Sequence, residues 1–501
     1  MEHKGGTMNI KEAKNYIKDT VYAYLKKDEF GDYRIPVEKQ RPVFLIGSPG
    51  IGKTAIMSQI ASELDIALVS YSMTHHTRQS ALGLPFIKER SYGGETVSVS
   101  EYTMSEIIAS VYDTMEESGI REGILFLDEI NCVSETLYPS MLQFLQYKVF
   151  GKHTVPAGWV IVTAGNPPEY NRAVRQFDVV TLDRLKVIEV EADYPAWKSY
   201  ALSRSIHGAV MGFLESNKDS FYKVETTAYG KTYVTARGWE DLSDMIKLYE
   251  EDAKPVNDSL ICQYITDEKV AKDFAAYYDL YNKYKKQYDV EAIFAGKLTD
   301  ETAKAASSAP VDERLALTGL LVDTLQSEMR DILGVHRVLK QIRPGVSGIA
   351  SAKGDEAAEK LDALTEAART LIARKKRAGS LSNTEKTHNK RILRFYTDAK
   401  SRIANGDDIK DIYNEKVKAL KADTDNEQVR IDNLFQGMEK IFGAESNEML
   451  VLVTELTLGK DTAEYLADFP SGAYERYNSV LKVGDRAENL RKEIAELTEL
   501  S

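Results

Sequence analysis

The sequence predicts an α/β domain with a five-stranded, mostly parallel sheet in its first half and a mostly α-helical region in its second half. Three observations indicate this architecture. Short apolar runs rich in β-branched residues alternate with helical stretches up to about residue 192. A glycine-rich loop joins the first apolar run to a helical stretch. After residue 193 the strand signals fade, and from about residue 266 nearly every stretch has helical periodicity.

Composition narrows the class of protein. A chain of 501 residues is too long for one ordinary core, so two or three domains are expected. The hydrophobic fraction of 43% and the charged fraction of 28% are typical of a soluble globular protein. No apolar run reaches the length of a membrane span, and the N-terminus lacks the apolar core of a signal peptide. Only Cys132 and Cys262 are present, which suits a reducing compartment, so a cytoplasmic protein without membrane contact is expected.

The elements follow from hydrophobic spacing. Helical periodicity predicts an amphipathic helix over residues 9–27. The dipeptide Gly93-Gly94 predicts a β-hairpin inserted into the α/β scheme, and a Tyr- and Thr-rich stretch predicts another near residues 221–234. The five apolar runs expected to form the sheet are Val43–Ile46, Ala67–Tyr71, Ile124–Leu127, Trp159–Thr163 and Val187–Val190.

Four segments are expected along the chain. They are an N-terminal helix and lead-in at residues 1–34, the α/β domain at 35–193, a helical lid at 194–265 and a helical accessory region at 266–501. The pattern leaves open whether the last segment is one bundle or a smaller bundle with a protruding helical hairpin. It holds none of the motifs described below, so it is expected to be accessory to the chemistry that they indicate.

The strongest signal is a phosphate-binding loop. The pattern G-x-x-x-x-G-K-[ST] follows an apolar run and opens a helical stretch, which is the context that the motif requires. Small residues allow backbone N–H groups to wrap phosphates, and the helix N-terminus adds a favourable dipole. Lys53 is expected to reach the β- and γ-phosphates of ATP, and the Thr54 hydroxyl to ligate Mg²⁺. The predicted loop is made of Gly47, Ser48, Pro49, Gly50, Ile51, Gly52, Lys53 and Thr54.

A pair of carboxylates ends a later apolar run. Asp128 and Glu129 directly follow Ile124–Leu127, so a parallel sheet places them at its carboxyl edge beside the phosphate loop. Asp128 suits the Mg²⁺ shell, directly or through water, and Glu129 suits polarisation of the attacking water. An apolar run before Asp-Glu is common on protein surfaces. Its combination with the phosphate loop favours the catalytic interpretation.

Three further residues complete the predicted site. Asn166 follows the next apolar run, where its side chain would lie between the γ-phosphate and the lytic water; the alternative is that Asn before Pro simply starts a turn. Arg184 directly precedes the last predicted strand, from which it would reach a neighbouring subunit's nucleotide. Thr235 resembles an N-cap, and Arg237 after it would face back onto the phosphates.

In this order the motifs resemble those of an AAA+ ATPase, over roughly residues 35–250. The local sequence is similar to that of the MoxR branch of this family in four places: Asp128-Glu129-Ile130-Asn131, Gly165-Asn166-Pro167, Leu182-Asp183-Arg184 and Ala236-Arg237-Gly238-Trp239. Cys132 departs from the pattern, since the family usually has Arg there. Two extra arginines, Arg172 and Arg175, leave open which Arg acts in trans.

The resemblance implies more than the motifs themselves do. AAA+ modules usually form homo-oligomeric rings, often hexameric, because the neighbour's Arg completes the nucleotide site. MoxR-type members carry a β-hairpin insert, and residues 75–102 occupy its place. They resemble chaperone-like remodelling or maturation factors that often work with proteins containing a von Willebrand factor A domain.

Positive charge is concentrated between residues 369 and 402, where basic residues far outnumber Glu385 and Asp398. A solvated helical face is the plain interpretation, and docking of an acidic partner is a second. The third is a nucleic-acid-acting AAA+ motor that uses this segment, which is the alternative function. The net charge of −12 argues against nucleic acid as the main partner.

Overall fold

The computed structural model describes residues 7–479 except 76–78, 80, 82, 172, 173, 205, 228 and 229. The chain divides into two compact units. The first runs up to Ala196 and includes Asp362–Leu393, and the second contains Trp197–Leu361 and the chain from Arg394 onward. These packing units do not follow the segments expected from the sequence. Residue 265 falls inside the second unit, and a piece of the helical region packs in the first. The functional domain boundaries remain predictions.

The first unit is built on a five-stranded parallel sheet, which confirms the predicted α/β fold. Its strand order is β2-β5-β8-β1-β9, so the chain crosses over repeatedly and β2 and β9 lie at the two edges. The strands are β1 (Val43–Gly47), β2 (Ala67–Ser72), β5 (Gly123–Asp128), β8 (Trp159–Gly165) and β9 (Lys186–Val190). Each is one or two residues longer than its apolar run, because flanking residues such as Gly47, Ser72 and Gly123 still pair with the neighbouring strands.

Helices cover both faces of this sheet, which explains why β5 and β8 are continuous apolar runs. Phe126 and Val162 are fully buried in the middle of these strands. The helices before the second unit are α1 (Ile10–Leu25), α2 (Lys53–Leu64), α3 (Glu106–Ser118), α4 (Tyr138–Tyr147), α5 (Val179–Leu182) and α6 (Tyr194–Ser203), of which α6 crosses the division between the units.

Helix α1 confirms the predicted N-terminal helix and has a clear start signal. The Asn9 side chain accepts hydrogen bonds from the backbone of Lys11 and Glu12, and the Glu12 carboxylate accepts one from the Asn9 backbone. This capping box satisfies backbone donors that the first turn cannot pair internally. Ala13, Ile17 and Val21 form the buried face, as the spacing predicts.

Small hairpins are inserted at several points. Strands β3 (Pro85–Tyr92) and β4 (Glu95–Tyr102) pair through a two-residue turn, Gly93-Gly94, in which both glycines have positive φ. This confirms the predicted hairpin. Strands β6 (Val149–Phe150) and β7 (His153–Thr154) form a shorter hairpin that the sequence analysis missed, and β10 (Lys223–Thr227) and β11 (Gly230–Val234) form the Tyr- and Thr-rich one.

The second unit is otherwise helical. Phe213, Trp239 and Phe274 pack together with ring centroids 5.3–5.7 Å apart. The residues that carry this cluster lie on both sides of position 265, so one core joins the predicted lid to the helices after it. The helices are α7 (Gly208–Ser216), α8 (Ala236–Glu251), α9 (Asp258–Ile261), α10 (Glu268–Gln287), α11 (Val290–Phe294), α12 (Asp300–Ser307), α13 (Val311–Ile349), α16 (Ile409–Phe442), α17 (Asn447–Leu458) and α18 (Lys460–Asp468).

Helices α14 (Gly354–Arg377) and α15 (Asn383–Ala404) form a helical hairpin. Its tip belongs to the first unit, where Ala378 is fully buried in the core of the sheet domain. The tip of this hairpin is therefore packed. Within the described part of the chain, no helix combines the length and apolarity that a membrane crossing needs.

Candidate active site

The predicted phosphate loop is the turn between β1 and α2. Gly50 and Gly52 have φ angles of 75° and 97°, in the left-handed region where glycine is free of strain. A Cβ at Gly47 would lie 2.6 Å from the backbone oxygen of Val190 on the neighbouring strand. Glycine is therefore required here by backbone geometry and by close packing. The loop ends at the first residue of α2, where free backbone N–H groups favour anions.

Lys53 lies at the centre of this loop. Its side chain is only 8% exposed, and its ammonium donates hydrogen bonds to the backbone oxygens of Gly47 at 2.7 Å and Ser48 at 2.8 Å. It also donates to Asn166 Oδ1 at 2.9 Å. A buried cation needs such acceptors to offset its lost hydration. The structure thus brings the predicted Lys53 and Asn166 into direct contact, although 113 positions separate them.

Thr54 and Asp128 also meet. The Thr54 hydroxyl donates a hydrogen bond to Asp128 Oδ2 at 2.7 Å. Hydroxyl and carboxylate oxygens are ligands that Mg²⁺ accepts, and this ion commonly takes one or two protein oxygens while phosphates and waters supply the rest. The described residues contain no group of three or more His, Cys, Asp or Glu placed to hold a metal ion by themselves. The pair therefore fits a nucleotide-bound Mg²⁺ and does not resemble a stand-alone metal site.

Glu129 is held by hydroxyl groups that the sequence analysis missed. Its φ of 56° is left-handed, which turns the chain sharply as it leaves β5. Ser72 Oγ and Thr74 Oγ1 each donate a hydrogen bond to Glu129 Oε2 at 3.1 Å. Ser72 lies opposite Asp128 in the register of β2 and β5. No local pattern in the sequence predicts this contact, because the contact depends on which strand lies beside β5.

Asn131 connects the turn after β5 to the end of β8. It is 2% exposed, and its side-chain amide donates to the backbone oxygen of Asn166 at 2.8 Å. A Cβ at Gly165 would lie 2.4 Å from Asn131 Oδ1, so glycine is needed at that position. Nearby, burial and the charge of Glu129 raise the pKa of the Cys132 thiol. This thiol is therefore not a preformed thiolate nucleophile.

The side chains of Arg184 and Arg175 bond to other residues of the first unit. Arg184 is exposed and donates to Gln146 Oε1 at 2.8 Å. Arg175 forms an ion pair with the exposed Glu135, and Arg172 lies outside the described residues. Arg237 is exposed on the first turn of α8, in the second unit, where Thr235 caps the helix as predicted. Its contact with phosphates stays a prediction.

The parallel sheet and the phosphate loop define a P-loop nucleotide-binding domain. Residues 43–182 match the family model described as ATPase family associated with various cellular activities (AAA). The chain therefore carries an AAA ATPase domain, and this implies that it binds a nucleotide. The match covers well under half of the chain.

Comparisons with solved structures and with curated proteins add no argument about function. The solved structures include 234 matching chains, among them a crystal structure of NtrX from Brucella abortus. That structure shares 16% identity at a TM-score of 0.22, covering 42% of this chain and 45% of the other, so this chain spans less than half of its length. A likeness of this size carries no argument about function. No curated protein matches the chain.

Proposed function

We propose that this protein is an AAA+ ATPase that hydrolyses ATP with Mg²⁺ and uses the energy to remodel or mature a partner protein. One observation carries the hydrolysis part of the proposal. The ends of β1, β5 and β8 bring together, by side-chain hydrogen bonds, Lys53 with Asn166 and Thr54 with Asp128, and Glu129 directly follows Asp128. A nucleotide-binding scaffold without turnover has no need for a carboxylate and an amide that can orient water.

Each residue has a distinct role in this proposal. Lys53 binds the β- and γ-phosphates, and the backbone N–H groups of Gly47–Thr54 surround them. Thr54 and Asp128 hold Mg²⁺, which neutralises charge developing on the phosphate oxygens. Glu129 orients and polarises the attacking water. Asn166, which bonds Lys53 through its side chain and Asn131 through its backbone, would lie between the γ-phosphate and the attacking water.

The MoxR-like, chaperone-like assignment rests on local features. The side chain of Asn131, in the Asp-Glu-Ile-Asn motif, donates a hydrogen bond to the backbone oxygen of Asn166 in the Gly-Asn-Pro motif. The β3–β4 hairpin lies between β2 and α3, where MoxR-type members carry an insert. Ile87 on that hairpin is 78% exposed, and Phe86 is 40% exposed. Exposed apolar side chains support contact with another protein, and we propose a partner with a von Willebrand factor A domain.

A homo-oligomeric ring, most simply a hexamer, is part of the proposal. Arg184 is exposed and is not among the side chains bonded to Lys53 or Asp128. Val179 and Val180, a few residues before it, are 75% and 60% exposed. Exposed apolar side chains close in sequence to an exposed Arg suit a surface that is covered by a second copy, whose nucleotide Arg184 would then reach.

The basic segment supports a protein partner better than nucleic acid. Lys375 pairs with Asp65 and Glu385, and Arg402 pairs with Asp407 and Glu415. These internal ion pairs neutralise part of the positive charge that the sequence concentrates there. Nucleic acid bound through phosphates would need that charge to be free.

The test of hydrolysis is Glu129→Gln. The amide keeps the size of the side chain but cannot polarise water, so ATP should bind with unchanged affinity while turnover falls at least about 100-fold. Steady-state phosphate release and equilibrium binding of a fluorescent ATP analogue measure the two effects. Glu95→Gln, an exposed carboxylate at the hairpin turn, is the matched control and should hydrolyse normally.

Lys53→Ala provides the complementary result. It removes a charge-assisted contact to the phosphates, so binding itself should weaken. If the Gln variant at position 129 hydrolyses ATP at close to the parental rate, the assignment of the water-orienting residue is wrong.

A further inference from the structure

We propose that the tip of the α14–α15 hairpin positions Glu129 for hydrolysis by holding strand β2, the edge strand that ends at Ser72, two residues before Thr74. This inference rests on the proposed ATPase function and adds a positioning element from a distant part of the sequence. Among the described residues, the contacts of the tip are with β2, α2 and α3 away from the predicted catalytic side chains. The tip contacts β2 at Leu68, and the other end of this strand carries Ser72, which bonds Glu129.

The first step is the free edge of β2. Among the strands that the structure describes, β2 pairs only with β5, so alternate backbone N–H groups point away from the sheet. The Ala67 N–H bonds the Glu122 oxygen on the β5 side at 2.9 Å. The Leu68 N–H, which points outward, donates to the backbone oxygen of Ala378 in the hairpin tip at 2.8 Å. The tip therefore supplies a backbone acceptor to the open edge.

The second step is the close fit of the tip. Ala378 is fully buried with the core residues of the sheet, Val69 among them. Gly379 has a φ of 68°, and a Cβ there would lie 2.5 Å from the Leu68 oxygen. Contact at this distance leaves room only for glycine. The turn between the two helices is therefore shaped to the strand.

The third step is a group of polar side-chain contacts around this one, made by Glu385 and Arg374. The Glu385 carboxylate accepts hydrogen bonds from Ser62 Oγ at the end of α2 at 3.0 Å and from Lys375 Nζ at 2.8 Å. The Arg374 Nε donates to the Ser118 backbone oxygen at the end of α3 at 2.9 Å. The tip is thus fixed to the two helices that flank β2 as well as to the strand.

The fourth step connects the tip to the site. Ser72 lies four residues after Leu68, about 13 Å along the strand. Ser72 and the nearby Thr74 donate the hydrogen bonds to Glu129. Helix α2, which carries Lys53, has separate anchors, since Lys14 and Lys18 of α1 both pair with Glu63. Loss of the tip should therefore disturb Glu129 more than the phosphate loop.

The test is Gly379→Ala in the full-length protein. The new Cβ collides with the Leu68 oxygen and should release the tip from β2. We expect kcat for ATP hydrolysis to fall about fivefold or more, while the KM for ATP stays within about twofold. Gly406→Ala is the matched control: it also has positive φ, at 97°, but its Cβ meets no atom within 4 Å, so kcat should be unchanged.

A double-mutant cycle separates positioning from general destabilisation. Ser72→Ala should also lower kcat, and combining it with Gly379→Ala should cost less than the product of the two effects, because both act on the same strand. Multiplicative effects, an unchanged kcat or a raised kcat in Gly379→Ala would each overturn the proposal. If Gly379→Ala does not fold, Glu385→Ala, which removes the hydrogen bonds from Ser62, Lys375 and Ser382, takes its place with the same expectations. A normal rate in Glu129→Gln would instead contradict the proposed function itself.

Discussion

Glu427 on α16 shows how strongly the second unit alters a single side chain. It is 3% exposed, and burial together with the negative charge of Glu328 raises its pKa to about 8, although Arg430 opposes the shift. The folded protein therefore keeps a proton that the unfolded chain, with its ordinary carboxyl pKa of 4.5, has lost. Because the folded state binds more protons in this window, stability should decrease as the pH rises from about 4.5 to about 8.

Glu427→Gln tests this environment. The amide resembles the protonated carboxyl and can still donate a hydrogen bond toward Glu328, so the variant should be more stable than the parent at pH 8.5 and similar to it at pH 5. Chemical denaturation at the two pH values measures the difference. Glu445→Gln, an exposed carboxylate after the same helix, should show no such pH dependence. Equal stabilities of Glu427→Gln and parent at pH 8.5 would contradict the raised pKa.

At the scale of elements, helix α10 determines whether the predicted lid can fold alone. Phe274 on α10 is fully buried, with its ring centroid 5.4 Å from that of Phe213 and 5.3 Å from that of Trp239. Removing a buried Phe side chain from a core typically costs about 3–5 kcal/mol. A chain that stops before α10 would lose this ring and the rest of the helix.

We therefore expect a fragment ending at residue 265 to lack a folded lid. It should show reduced helicity by circular dichroism beyond the loss of the deleted helices, and the single-tryptophan fluorescence of Trp239, after replacement of Trp159 and Trp197, should report a solvent-exposed ring. Phe274→Ala in the full chain is the milder variant and should lower the melting temperature without abolishing folding. A fragment with native tryptophan fluorescence would show that the lid is independent of α10.

At the scale of the whole molecule, catalysis is expected to need assembly. Arg184 is exposed and bonded to Gln146 in the first unit, while Lys53 bonds Asn166 and Thr54 bonds Asp128. An Arg supplied by a neighbour is worth on the order of 10³-fold or more in rate where it stabilises phosphoryl-transfer charge. Hydrolysis per subunit should therefore rise steeply with protein concentration through the assembly range.

Mixing two inactive variants tests the neighbour directly. Arg184→Ala should bind ATP and assemble but hydrolyse poorly, and Glu129→Gln retains its Arg184. At interfaces where the pocket of an Arg184→Ala subunit meets a Glu129→Gln neighbour, every catalytic group is present, so mixed rings should regain activity. If mixed rings form and remain inactive, Arg184 does not act across the boundary, and Arg172→Ala and Arg175→Ala then test the other two candidates.

The sequence by itself determined the α/β class, the five strands and the contiguous parts of the site. The phosphate loop could be recognised because Gly47–Thr54 is one contiguous segment, from the end of β1 to the start of α2. The role of each residue in it depends on its immediate neighbours in the sequence. The strands could be recognised because burial on both faces leaves apolar runs that need no partner to be seen. Asp128 and Glu129 followed from their position at the end of such a run.

Only the tertiary structure decided which distant residues meet. Ser72 reaches Glu129 because β2 lies beside β5, and Asn131 bonds the Asn166 backbone because β8 lies on the other side of β5. The burial of Ala378 against β2 joins positions about 310 residues apart. Sheet order and long-range packing arise from the summed burial of many side chains, so no local pattern in the sequence records them.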